Sequence, residues 1–126
     1  MVRVLSGEPQ DLAVTALQYL QSRIEAGDRF SVSDLVVAEA YHAFQHHYGV
    51  SKKQCLDAFA AFLASSGIEP TGEAEAVLAT PDLETARPGF VDRMIHGDYL
   101  ASGTERLATF EVAAKNLRRT EILMAR

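Results

Sequence analysis

The chain has 126 residues, of which 48% are hydrophobic, and a formal net charge of −5 at neutral pH. This length suits one domain and allows a buried core without covalent cross-links. The single cysteine, Cys55, excludes an internal disulfide and a zinc site built from several cysteines, which fits a reducing compartment. The opening MVRVLSGEPQ lacks the apolar run of a signal peptide, and no stretch approaches the length of a membrane span. We expect one domain, residues 1–126, in a cytoplasmic protein without membrane contact.

Charge is distributed unevenly along the chain. Residues 1–86 carry five Lys/Arg against twelve Asp/Glu, a balance of −7, whereas residues 87–126 carry seven against five, a balance of +2. The acidic total argues against a protein that coats nucleic acid, while the basic last third could contact phosphate. An ordinary solvated surface is the alternative. The cations that could contact phosphate are Arg87, Arg93, Lys115, Arg118 and Arg119.

Short strands alternate with helices in the predicted secondary structure. Ser33 is placed to cap one helix, and Ser51 with Gln54 has the form of a capping box for the next. Alternation of this kind favours parallel strand pairing, so we expect an α/β fold, a three-layer α/β/α sandwich with a mostly parallel sheet. The predicted helices cover residues 11–26, 34–48, 73–79, 90–101 and 112–117, and a further helix opens at the Ser51–Gln54 capping box with an apolar face from Cys55 to Leu63. Strands are predicted over 29–32, 106–110 and 121–124, and residues 67–70 are predicted as a turn that leads into a weak strand.

Three acids lie among apolar residues instead of on a charged face. Glu39 is inside LVVAEA, Asp92 follows GFV near the start of a predicted helix, and Glu111 directly follows the strand-like LATF. An isolated ionised carboxylate in such surroundings is costly unless it is paired or binds a cation. If the three converge, Mg²⁺ or Mn²⁺ would offset their repulsion. The alternative is that Glu39 and Asp92 lie at the rims of their apolar faces and are solvated.

The order of three segments resembles a known family. SVSDLVVAEAYHAFQHHYGVSKKQ is similar to the helix of PIN domains in which a glutamate follows a small apolar run and precedes a YG turn. PGFVDRMIHGDYLASG resembles their later helix, with an aromatic residue two positions before an acidic ligand, and ERLATFEVAAKNL resembles their strand that ends in Thr-x-acid. The resemblance covers nearly the whole chain and is closest to the VapC-like toxins of bacterial toxin–antitoxin pairs.

The resemblance implies a metal-dependent endoribonuclease that works through an acidic cluster on Mg²⁺ or Mn²⁺ and is held inactive by an antitoxin protein. Carried over position by position, Glu39, Asp92 and Glu111 would be the metal ligands, and metal-activated water would attack an RNA phosphate. Thr109 would be a supporting polar residue near the metal or the scissile phosphate. The early helices of such proteins often carry the contacts of a homodimer.

Two features depart from the family pattern. The family opens with a central strand that ends in an aspartate ligand, whereas MVRVLSGEPQ resembles the segment after that strand, and Asp11 lies beyond Gly7 and Pro9, out of register. Glu111 stands where the family more often has aspartate, which shifts the carboxylate oxygens by roughly one C–C bond. Either residues 1–5 form a strand, or the sheet is split, or a partner chain fills the gap. One explanation that the resemblance suggests for this departure is a natural start codon upstream of Met1, and another is a degenerate, inactive relative of the family.

Two functional hypotheses therefore remain open. The first is a VapC-like metal-dependent endoribonuclease whose active site is at least partly incomplete in this chain, with Asp92, Glu39, Glu111 and Thr109 as its catalytic residues. The second is a non-catalytic PIN-like module that dimerises or binds an antitoxin-like peptide. A third interpretation, an unrelated small α/β protein with solvated acids, predicts no effect of metal.

Two other groups of residues have simpler interpretations. His42 and His46 have the i, i+4 spacing of a zinc chelate, but without a third ligand we expect a polar, solvated helix end. Cys55 lies on the apolar face of its predicted helix and is expected to be a small buried hydrophobic residue instead of a nucleophile.

Overall fold

A computed structural model shows a mixed α/β fold and describes residues 1–124, so the last two residues of the predicted domain lie outside the described part. The helices are α1 (Val2–Ser6), α2 (Gln10–Glu25), α3 (Asp34–His47), α4 (Lys52–Leu63), α5 (Ala74–Leu78), α6 (Phe90–Ala101) and a 3₁₀ helix (Val112–Asn116). The strands are β1 (Phe30–Val32), β2 (Ile68–Pro70), β3 (Leu107–Thr109) and β4 (Thr120–Ile122). No helix within these 124 residues is long and apolar enough to cross a membrane.

The predicted caps set the starts of the two central helices. The Ser33 hydroxyl accepts a hydrogen bond from the Val36 amide at the start of α3. At the start of α4, the Ser51 hydroxyl accepts from the Gln54 amide and the Gln54 side chain accepts from the Ser51 amide, which completes the capping box. Because each cap satisfies amides that have no partner inside the helix, these boundaries follow from local sequence.

The strands form two separate parallel pairs. β1 pairs with β2, with Phe30 opposite Ile68, and β3 pairs with β4, with Leu107 opposite Thr120. The predicted parallel pairing is therefore confirmed, but the described strands make two two-stranded sheets instead of one continuous sheet. The alternative in which residues 1–5 form a strand is wrong, because most of them lie in α1, and the described strands are split between two sheets.

The core is built from the middle of the chain. Helix α4 contributes most to it, because one face buries Cys55, Leu56, Phe59 and Leu63. Helix α6 adds Phe90 and Met94 through the i, i+4 spacing of one helical face. Other fully or nearly buried members of this cluster are Val32, Val37, Ala40, Phe44, Ala74 and Leu83.

One polar contact joins α3 to α5 across this core. The Asp34 carboxylate accepts hydrogen bonds from the backbone amides of Glu73, at 3.0 and 2.9 Å, and Ala74, at 3.0 Å. The chain must approach closely here, since a Cβ built on Gly72 would lie 2.5 Å from the Asp34 carboxyl group. Asp34 therefore caps α5 from a residue about forty positions away.

Candidate functional site

Asp92 lies in the first turn of α6 and is exposed. The helix buries Phe90 and Met94 on the opposite side, so the apolar neighbours of Asp92 in the sequence face the core while its own carboxylate does not. An acid in the first helical turn also interacts favourably with the helix dipole. The expectation that Asp92 is buried among apolar residues is wrong, and the alternative of a solvated carboxylate at the rim of the apolar face describes the structure.

Glu111 and Thr109 are held by local hydrogen bonds at the end of β3. The Thr109 hydroxyl accepts a hydrogen bond from the Glu111 amide at 3.1 Å, and Glu111 Oε1 accepts one from the Ala113 amide at 3.1 Å. Glu111 therefore lies two residues beyond the strand and caps the 3₁₀ helix that follows. Its second carboxylate oxygen is left for another partner.

The structure brings Asp92, Thr109 and Glu111 to one place. All three line a cavity of about 170 Å³ between α6 and the β3–β4 pair, whose other walls are mainly apolar. Asp92 and Glu111 also line an adjoining polar cavity of about 410 Å³, together with Lys52 and Arg87. Because these acids border both cavities, they lie where an apolar space meets a charged one.

Glu39 is positioned differently from the other two acids. It is exposed on α3 and lines neither of these two cavities. Among residues 1–124, no three His, Cys, Asp or Glu side chains are grouped closely enough to hold one metal ion. The three-acid metal site therefore stays a prediction, and the structure shows that two of its members, Asp92 and Glu111, line the same two cavities.

The donor set at the junction suits a hydrated divalent cation. Mg²⁺ keeps several of its waters and is often bound through only one or two carboxylates together with substrate phosphates. Asp92 and Glu111 supply two such carboxylates to the lining of one cavity, and Thr109, whose hydroxyl accepts from the Glu111 amide, lines it as well. These residues fit a Mg²⁺ or Mn²⁺ ion that takes its remaining ligands from solvent and substrate.

His96 is a cavity residue that sequence reasoning did not select. It stands one helical turn after Asp92, lines the same apolar cavity, and its Nε2 lies 2.5 Å from the Arg118 carbonyl oxygen. This hydrogen bond ties α6 to the turn before β4. The i, i+4 spacing from Asp92 was the available sequence signal, because it places both side chains on one helical face.

The five predicted phosphate-contacting cations have different roles. Arg87 lines the polar cavity, whereas the Arg93 guanidinium donates to the Pro88 carbonyl at 2.7 Å and is partly buried. Arg119 adopts a left-handed backbone conformation with φ of 58° and donates to the Thr104 carbonyl. Lys52, at the start of α4, was not among the predicted cations and lines the cavity beside Arg87. Lys115 and Arg118 are exposed.

The histidine pair and the cysteine lie away from these cavities. The rings of His42 and His46 stack with centroids 6.3 Å apart and both residues are exposed on α3. Cys55 is only 2% exposed, and burial raises the pKa of its thiol from 9.0 to about 11. The thiol therefore stays protonated at neutral pH, which confirms that Cys55 is a buried hydrophobic residue.

Comparisons of the chain with protein-family models, with curated proteins and with solved structures found no match.

Proposed function

We propose that the protein is a PIN-like, VapC-like endoribonuclease that depends on Mg²⁺ or Mn²⁺ and acts in the cytoplasm as the toxin of a toxin–antitoxin pair. In this proposal the two parallel strand pairs belong to the sheet of a three-layer α/β/α sandwich. The resemblance of three sequence segments to PIN domains suggests the family. The order of elements in the structure, with short parallel strands between helices, is compatible with it.

The observation that carries the proposal is the meeting of two distant acids at one cavity. Asp92 comes from a helix and Glu111 follows a strand, nineteen positions later, yet they line the same two cavities. These are the positions at which the resemblance places metal ligands, and Thr109, its supporting polar residue, lines the smaller cavity as well. Glu39 is the third proposed ligand and needs a movement of its side chain or of α3 to take part.

The residues at the two cavities have separate roles in the proposed hydrolysis of a phosphodiester. Asp92 and Glu111 would hold the cation, whose chemistry is to lower the pKa of coordinated water and to offset charge on a phosphate oxygen. The Thr109 hydroxyl accepts from the Glu111 amide and so holds the Glu111 backbone, while the Ala113 amide donates to one oxygen of the Glu111 carboxylate. Exposure of both acids allows an RNA strand to reach them without opening the core.

Exposed apolar residues on α2 favour protein partners. Leu12, Val14, Leu17 and Tyr19 are each between 43% and 59% exposed, and Ala13 is the buried residue of the helix. Leu12 and Tyr19, seven positions apart, share one face of the helix, and exposed apolar residues that share a face can mark an interaction site. We propose that the early helices carry the contact of a homodimer and that an antitoxin protein covers the acidic cavities.

A non-catalytic PIN-like module for binding or dimerisation is the alternative function. The position of Glu39 away from the two cavities favours it, because two carboxylates bind a divalent ion less tightly than three. In this alternative the α2 surface engages a partner and RNA is not cut.

Cleavage of a labelled single-stranded RNA of random sequence tests the proposal. We expect cleavage in Mn²⁺, none in EDTA, and a loss of roughly 100-fold or more in Asp92→Asn and Glu111→Gln, because even residues that only support a metal ligand contribute 10- to 100-fold. Glu75→Gln, at an exposed acid of α5 outside the lining of these cavities, is the matched control and should cut at the wild-type rate. Absence of cleavage in wild type, or equal rates in all four proteins, would exclude the nuclease.

A further inference from the structure

The two cavities that share Asp92 and Glu111 differ in chemistry. On one side the walls are apolar and include Ile95 and Tyr99 of α6. On the other side the walls are polar and include the cations Lys52 and Arg87 together with a third acid, Glu84. A ligand that spans both spaces must therefore carry an apolar group and an anionic group a short distance apart.

The cations of the polar cavity have no protein partner among the ion pairs of residues 1–124. Those pairs use Arg23, Arg29, Lys53 and Arg106. Lys52 and Arg87 are both exposed and come from different segments, the start of α4 and the loop before α6. Arginine binds phosphate through a planar fork and lysine through a point charge, so the pair suits the anionic backbone of a nucleic acid.

An exposed aromatic side chain, that of Tyr99, lies on the apolar side of the junction. Tyr99 is 51% exposed and Ile95 is 50% exposed, although both lie on a helix whose other face is buried in the core. Both residues also border an adjoining, mostly apolar groove of about 700 Å³, so a flat ring has room beside them. A nucleobase stacks readily on an exposed aromatic side chain.

We infer that single-stranded RNA binds across this junction, with phosphates on Lys52 and Arg87 and one base stacked on Tyr99. The inference rests on the proposed ribonuclease function and adds to it the residues that bind substrate. The phosphodiester between the two contacts then lies at Asp92 and Glu111. An unpaired strand is required, because a base can stack on Tyr99 only when it is free of its own helix.

Binding measured without cleavage tests the inference. The probe is a 5′-fluorescein single-stranded RNA of ten uridines, titrated with the full chain in EDTA and followed by fluorescence anisotropy at several salt concentrations. The variants are the double substitution Lys52→Gln/Arg87→Gln, and Tyr99→Leu beside Tyr99→Phe. The matched controls are Lys53→Gln, which removes a neighbouring charge on the same helix, and Tyr19→Leu, which removes an exposed tyrosine of α2.

We expect the double variant to lower the slope of log K against log salt by roughly 1.4, because each phosphate contact on a single strand contributes roughly 0.7. Tyr99→Leu should weaken binding at least about fivefold, while Tyr99→Phe keeps the stack and binds like wild type. Both controls should bind like wild type. An equal loss in Lys53→Gln, an unchanged double variant, or equal binding in Tyr99→Leu and Tyr99→Phe would overturn the inference.

The result separates this inference from the proposed function. RNA that is cut in Mn²⁺ but bound independently of Lys52, Arg87 and Tyr99 would contradict this inference and still support the nuclease function. RNA that is bound through these residues but never cut would support the inference and contradict the nuclease. A self-complementary RNA duplex that binds as tightly as the single strand would also overturn it.

Discussion

The middle of the chain and its C-terminal unit are stabilised in different ways. Between β1 and α6, twelve side chains form one buried cluster, with Phe59 at its centre and fully buried. From β3 to β4, Ala114 is the buried residue in the described part, while Phe110 and Val112 are 67% and 62% exposed. The C-terminal unit is therefore held mainly by hydrogen bonds, among them the contact between His96 and the Arg118 carbonyl.

This difference matters because the candidate site bridges the two regions. Asp92 is fixed by a helix that the core holds, whereas Glu111 lies on the thinly packed unit. Local opening costs least where few apolar contacts are lost. The distance between the two carboxylates should therefore vary more than the position of either core helix.

Removing the central core side chain should have the largest effect on the free energy of unfolding. We expect Phe59→Ala to lower the free energy of unfolding by about 3–5 kcal/mol, since it loses apolar burial and leaves a cavity. Phe110→Ala deletes the same atoms from the exposed unit and should change stability by less than about 0.5 kcal/mol. Urea denaturation of both variants gives the comparison, and similar losses would show that the two regions are not packed differently.

Loss of the Asp34 contact should have the second largest effect on stability. Asp34→Ala removes the acceptor of the Glu73 and Ala74 amides, and we expect a loss of about 1–2 kcal/mol, as for other helix caps. Asp57→Ala breaks only an exposed pair with Lys53 and should cost less than about 0.5 kcal/mol. Equal midpoints in thermal denaturation for the two variants would show that Asp34 contributes no more than a surface charge.

His96→Ala should loosen the C-terminal unit with little effect on the core. The lost hydrogen bond is expected to contribute about 0.5–1.5 kcal/mol, so the Leu107 amide, which donates to Arg119, should exchange roughly two- to tenfold faster. The Val37 amide, which donates to Ser33 in the core region, should keep its rate. Hydrogen exchange by NMR measures both, and uniform acceleration would contradict an independent terminal unit.

The smallest effect on stability at neutral pH is expected from ionisation of the buried Cys55 thiol. The folded chain keeps the Cys55 proton up to about pH 11, whereas the unfolded chain loses it near 9.0, because burial raises the pKa of the thiol. Its contribution to stability is therefore complete below pH 9 and is lost as the pH rises towards 11. The difference between the urea midpoints of wild type and Cys55→Ala should stay constant from pH 7 to 8.5 and become smaller above pH 9. Parallel profiles up to pH 11 would show that the thiol is not desolvated.

Much of the local structure was predictable from sequence because its causes are local. The helix predicted over residues 90–101 is observed with the same bounds, and the capping box of Ser51 and Gln54 is formed as its pattern indicates. The strand before Glu111 is shorter than predicted, because Phe110 and Glu111 turn into the 3₁₀ helix instead of continuing the ladder.

The arrangement of the site was only partly predictable because it depends on contacts between distant segments. The resemblance to PIN domains implied that Asp92 and Glu111 share a site, whereas the residues alone left open whether they converge. Residue order did not indicate which face of α3 carries Glu39, because apolar neighbours surround that residue on both sides in the sequence. The split of the sheet follows from pairing between strands, to which three-residue segments contribute little sequence signal.

Calorimetric titration of Mn²⁺ into the wild-type chain tests the central claim, that Asp92 and Glu111 act together on one cation. The same titration is made with Asp92→Asn, Glu111→Gln, Glu39→Gln and the control Asp98→Asn. We predict one binding event that Asp92→Asn and Glu111→Gln each abolish and that Asp98→Asn leaves unchanged, while the Glu39→Gln result decides whether α3 supplies a third ligand. Absence of binding heat in wild type, or binding that survives both Asp92→Asn and Glu111→Gln, would contradict a metal site at the junction of the two cavities.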